Sequence, residues 1–109
     1  MNGTPVKTRL VSLQCEPSQA SELAQVIRSY ALAAYPPGGS ECAQVAREAL
    51  LDAASQIAGH QGGLLQVRKR LLPQLRAAVR WCLTQDAPAE LRCSPELATV
   101  LQIQSKSTD

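Results

Sequence analysis

Pro36-Pro37-Gly38-Gly39 constrains this chain more than any other stretch. The prolines lack the backbone donors a helix needs and the glycines loosen the chain, so no helix runs through them. On the N-terminal side, Glu16-Pro17-Ser18 opens a helix, with Pro in the first turn and Ser18 as its cap. Leu23, Val26, Ile27, Tyr30, Ala31 and Ala34 then keep the i, i+3, i+4 spacing up to Tyr35. On the other side, Ser40 caps a second helix and Glu41 complements its macrodipole. Its inward stripe is Cys42, Val45, Ala46, Ala49, Leu50, Ala53 and Ile57, with Arg47, Glu48 and Asp52 outward. Gly59 ends that helix, and His60-Gln61-Gly62-Gly63 turns the chain into a third segment.

That segment is Leu64–Thr84, LLQVRKRLLPQLRAAVRWCLT, which reads as the third and longest helix. The short link predicts that it lies antiparallel to the second. Wrapped at 100° per residue, Leu64, Val67, Leu71, Leu75, Ala78 and Cys82 form one apolar ridge. Leu65, Leu72, Val79 and Leu83 form another, with Lys69, Arg76 and Arg80 on a polar face and Trp81 on the far flank. The apolar arc spans nearly ~200°, about twice what a surface helix needs. Pro73 opposes this reading, because a mid-helix Pro costs ~3 kcal/mol or more. The favoured expectation is one helix kinked at Pro73 on its outer face. The alternative is a break at Arg70–Leu72, with Pro73 opening a new helix.

Around these segments, residues 1–15 read as an extended arm in which Val11, Leu13 and Cys15 alternate. Gln85-Asp86-Ala87-Pro88 reads as a loop, Ala89–Arg92 as a single turn, and Ser94-Pro95-Glu96 as the start of a short last helix with Leu97, Val100 and Leu101 inward. Residues 105–109 are expected to fray. The expectation is therefore an all-α single domain over 1–109: three main helices, a short C-terminal helix and an extended arm. Hydrophobic residues make up 45% of the chain but aromatics only 3%, with no Phe, so Ala, Leu and Val must build the core. Ala-rich faces fill little volume, which favours burial against a second chain and hence a homodimer.

No catalytic apparatus is legible. His60 stands alone in a glycine-rich turn and reads as a solvent-exposed turn histidine. Glu48 and Asp52 share a polar helix face, and the glycine pairs lack the context of a phosphate cradle. Cys15, Cys42, Cys82 and Cys93 contain no C-x-x-C pair, so they read as small buried hydrophobes rather than metal ligands. An enzyme, a metal site and a cofactor are not expected. The N-terminus MNGTPVKTR leads into no apolar stretch and nothing is long enough to span a membrane, so a cytoplasmic location with reduced thiols is expected.

Two functional classes remain. Net charge is +2, yet no acid lies between Asp52 and Asp86, where Arg68, Lys69, Arg70, Arg76 and Arg80 all fall. A helix, a glycine turn and a basic helix resemble a helix-turn-helix, so a small DNA-binding regulator using helix 64–84 is the alternative reading. Its detail is poor: Ser55 stands where that motif prefers Ala, His60 where it prefers an apolar plug, and Gly62-Gly63 lengthens the turn. The favoured reading is an interaction protein. Leu65, Leu72 and Val79, with Arg68, are the expected partner-binding ridge, joined by Tyr30, Tyr35 and Trp81 as aromatic anchors. On this reading Leu72→Glu abolishes an association and leaves helicity intact.

SQASELAQVIRSYALAAYPPGGSE (Ser18–Glu41) and LLQVRKRLLPQLRAAVRWCL (Leu64–Leu83), with the size and helical order, resemble the QslA-type antiactivators of quorum sensing. These are small cytoplasmic proteins that target LasR, a LuxR-type transcription factor. The resemblance covers nearly the whole chain. It implies a helical homodimer that binds the regulator's ligand-binding domain and occludes its dimerisation surface, so that the regulator cannot hold paired DNA half-sites. It implies no reaction and no cofactor, and on this reading no direct nucleic-acid binding is expected. It assigns no residue roles, since no short motif marks the contacts.

Overall fold

The computed structural model describes residues 9–84 and 94–101. Its elements are β1 (Leu10–Gln14), α1 (Pro17–Ala34), α2 (Glu41–Ala58), β2 (Leu64–Arg68), a 3-10 turn (Lys69–Leu71), α3 (Leu72–Leu83) and α4 (Glu96–Val100). Helices dominate, but a two-stranded antiparallel sheet joins them. The expected loop 85–88, the turn at 89–92, Cys93 and the tail 105–109 lie outside the described residues.

The proline–glycine stretch does what its chemistry requires. α1 ends at Ala34, Gly38 takes φ +89°, and α2 restarts at Glu41. The Ser40 side chain caps α2 by accepting from the Ala43 amide at 3.1 Å. At the start of α1 the cap is Glu16 rather than Ser18: the Gln19 side chain reaches back to accept from the Glu16 amide at 2.9 Å, with Pro17 in the first turn. α1 is the central element, packed most extensively on α2 and next on α3. It buries Ala20, Leu23, Ala24, Val26, Ile27 and Ala31, whereas Ala34 at its end is exposed. Ala20 and Ala24 let neighbours approach closely.

The long helix over 64–84 does not form. Residues 64–68 are a strand, 69–71 a 3-10 turn, and only 72–83 are α-helical, so the break before Pro73 holds and the kinked helix does not. The physical reason lies at both ends of the segment. A continuous helix would lose the bond from residue 73 to the Lys69 carbonyl and clash there, whereas Pro within the first turn of α3 removes a donor that has no partner anyway. Upstream, Gly62 and Gly63 hold φ of +124° and +76°, which ends the turn in a geometry that launches a strand.

β1 supplies the partner, with Leu10 opposite Arg68, Val11 opposite Val67, Leu13 opposite Leu65 and Gln14 opposite Leu64. The ladder extends past both ends: the Cys15 amide donates to the Gly63 carbonyl at 3.3 Å and the Lys69 amide to the Arg9 carbonyl at 2.8 Å. Side chains alternate, so Leu13, Leu65 and Val67 enter the core while Leu10, Ser12, Gln14, Leu64, Gln66 and Arg68 face out. Part of the expected arm is thus an ordered strand.

The third helix was expected beside the second; instead α2 feeds the sheet, and α3 packs mainly on α1. α3 buries a single stripe of Leu72, Leu75, Ala78, Val79 and Cys82. α4 closes over α1 and α3 through polar ties. The Glu22 carboxylate accepts from the Ser94 amide, and the Arg76 Nε donates to the Leu101 carbonyl at 2.8 Å, where a cation meets the negative end of α4. Arg76, expected on a solvated face, is therefore a structural ligand. His60 is likewise not a free turn residue. Its Nε2 lies 3.0 Å from the Cys15 carbonyl and 3.3 Å from that of Gly63, so the ring clips the turn onto the start of the sheet.

Gly62→Ala is expected to cost about 1–2 kcal/mol, because an L side chain is strained at that φ whatever the free space. Space is available, since the nearest atoms to an added Cβ are those of Pro17 at 3.8 Å. A urea titration with a lowered midpoint and an unchanged slope checks this.

Candidate protein-binding surfaces

The expected partner-binding residues do not share one surface. Leu65, Leu72 and Val79 lie in the core, at 6%, 7% and 0% exposure. The second ridge was a product of wrapping a strand and a helix on one wheel; with the chain bent at 69–71, most of both ridges turns inward, and Leu64 and Leu83 at their ends stay exposed. Arg68 is exposed on the outer face of the sheet, across from Leu10. Only Tyr30, Tyr35 and Trp81 come together. Tyr30 packs edge-on to Trp81, with ring centroids 5.7 Å apart, and edge-on to Tyr35 at 6.5 Å. Such pairs contribute about 0.5–1.5 kcal/mol beyond their buried area. Burial, and then the neighbouring Tyr35, push the Tyr30 hydroxyl above its ordinary pKa. All three rings are half-buried, so they brace α1 against α3 and leave part of their surface open.

Large apolar side chains are left uncovered on the outer face of the sheet, at Leu10 and Leu64, and at the end of the α1–α2 hairpin. Leu32 near the end of α1 is 52% exposed and Val45 near the start of α2 is 67% exposed. At 1.5 Å per residue both lie within about 8 Å of the end of the α1–α2 hairpin. Cys42 and Ala49 on α2 are exposed as well, so the inward stripe expected there reaches the core only from Leu50 onward. Leu32 carried a legible signal: two residues on from Tyr30, it stands about 200° round α1, off the buried stripe. Val45 carried none, because it keeps the helical spacing and lacks only something to pack on.

A groove of about 280 Å³ runs between α2 and the sheet. Its floor is Ala53, Ile57, Leu65 and Val67, and its rim includes Asp52, Gln56, Gln66 and Arg68. The Gln56 side chain donates to the Asp52 carboxylate at 3.0 Å.

Among the described residues, no group of three or more His, Cys, Asp and Glu side chains could hold a metal, and no helix is long and apolar enough to cross a membrane. The thiols divide by burial: Cys15 and Cys82 are buried, while Cys42 is exposed, contrary to its expected place in the core. Burial, reinforced by the charge of Glu16, raises the Cys15 pKa. Iodoacetamide at neutral pH is expected to modify Cys42 well before Cys15, read by peptide mass mapping. Because the folded pKa of Cys15 lies above its unfolded value, its contribution to stability is intact below the ordinary thiol pKa. It is lost as pH rises toward the raised one.

The molecule is a helix-dominated domain whose small sheet and helical hairpin leave apolar surface open. No protein-family model, curated protein or solved structure matches the chain.

Proposed function

We propose that this chain is a protein-interaction antiactivator that binds the ligand-binding domain of a LuxR-type, LasR-like transcription factor and blocks its dimerisation. Exposure of Leu32 and Val45 at one end of the α1–α2 hairpin carries the reading. Apolar side chains gathered at one end of a small domain are the surface a partner covers. The half-open Tyr30, Tyr35 and Trp81 rings supply rigid aromatic area of the kind found at binding anchors. The resemblance of Ser18–Glu41 and Leu64–Leu83 to QslA-type antiactivators names the class of target.

The mechanism needs no reaction and no cofactor. A regulator bound by this chain cannot pair with itself, and an unpaired regulator cannot span two half-sites. The chain acts in the cytoplasm, and a homodimer covers its apolar surface until the target competes for it. Direct DNA binding through a basic helix 64–84 loses its support, since residues 64–68 are a strand and the turn after α2 leads into no helix.

The test is co-expression with the ligand-binding domain of a LuxR-type regulator, read by size exclusion with light scattering. The expected result is a mixed complex and disappearance of the regulator dimer. A regulator that stays dimeric, with the chain eluting apart from it, overturns the reading.

A further inference from the structure

The proposed antiactivation uses the hairpin end, but the groove beside β2 has a different chemistry. The groove is lined by four consecutive residues of β2, Leu65 to Arg68, of which alternate side chains point to opposite faces. From β1 it takes only Leu10. The groove therefore follows the outer edge of β2 rather than either face of the sheet.

That edge is unpaired. Cys15 with Gly63 and Arg9 with Lys69 are hydrogen-bonded pairs, and in an antiparallel ladder such pairs recur every second residue. The backbone groups of Leu64, Gln66 and Arg68 consequently point away from β1. Among the described residues the backbone groups of Leu64 and Gln66 and the Arg68 amide have no partner, since the sheet has two strands only, while the Arg68 carbonyl opens the 3-10 turn at Lys69–Leu71. Alongside runs the apolar floor of Ala53, Ile57, Leu65 and Val67. The volume, about 280 Å³, lies just below the ~300–1,000 Å³ of small-molecule sites. It suits side chains of a peptide better than a whole ligand. At the end of the edge, Arg68, Lys69 and Arg70 are exposed and form no ion pair with any described residue.

We propose that the groove between α2 and β2 takes an extended, acid-tipped segment of a partner protein as a third strand. Its main chain pairs with Leu64, Gln66 and the Arg68 amide, an apolar side chain descends onto the floor, and a carboxylate meets Arg68, Lys69 and Arg70. Charge complementarity selects a partner over a second copy of the chain. The two strands a copy could offer, LVSLQ and LLQVR, carry no acid to answer the basic end.

The test uses the full chain and two synthetic peptides of about seven residues, alternating Val and Thr and ending in either two Asp or two Lys. The Asp-ended peptide is expected to slow amide exchange at Leu64, Gln66 and Arg68, and to bind about tenfold tighter than the Lys-ended one. Methylating its alternate backbone nitrogens should abolish binding. Ala49→Trp, on an exposed wall position, should plug the groove, and Arg68→Glu should reverse the preference between the peptides. Should Ala49→Trp fail to fold, Arg68→Glu on the open face still decides. Equal affinity for both peptides, no binding of either, or protection of these amides by self-association alone overturns the proposal. An Ala49→Trp variant that still captures the regulator separates the two surfaces. If the regulator is not bound but the Asp-ended peptide is, antiactivation fails and the groove stands.

Discussion

Val79→Asp is expected to abolish the cooperative fold. The side chain is fully buried on α3, so the change removes about 1.5–3 kcal/mol of apolar burial. It also places a carboxylate in the core, at several kcal/mol for the ion. Together these rival the ~5–15 kcal/mol that holds a domain of this size. Circular dichroism during heating should show no sigmoidal transition. Retention of the wild-type midpoint with loss of partner binding alone would sink the packing of α3 into the core. Leu72→Glu, which the helical wheel alone predicts to be harmless to the fold, is expected to destabilise as well. The cost is smaller there, because the first turn of α3 offers a carboxylate the positive end of a helix.

The second large effect is on binding. Leu32→Glu combined with Val45→Glu should leave stability within about 0.5 kcal/mol per site, as both side chains are already largely in water. Affinity for the regulator's ligand-binding domain should fall about a hundredfold, close to 3 kcal/mol. Calorimetric titration against that domain, beside a urea titration of the same variant, separates the two quantities. Unchanged affinity would remove the hairpin end from the contact.

Much of the fold was legible. Ser40 caps α2, the proline–glycine stretch divides α1 from α2, and the α1 stripe from Leu23 to Ala31 is buried apart from the half-open Tyr30. These features arise from local chemistry: caps, breakers and a long unambiguous period. The segment 64–68 was not legible, because five residues of LLQVR satisfy a helical spacing and a strand alternation equally. Its misreading carried Leu65, Leu72 and Val79 to a surface they do not occupy. The aromatic group fared better, since Tyr30 and Trp81 do meet. Their meeting depends on α3 lying against α1, which no spacing states.

What residue order alone settled was where helices must stop, where two of them start, and which face of α1 is apolar. Each is a short-range steric or hydrogen-bonding demand that no tertiary contact can cancel cheaply. What only the tertiary structure decided was the state of 64–68. Leu10–Gln14, some fifty residues upstream, gives that segment a hydrogen-bonding partner and turns Leu65 and Val67 inward. A strand is completed by its neighbour, so its existence is a long-range fact. The open edge, the groove beside it and the exposed hairpin end all result from that pairing and from where α1 runs out.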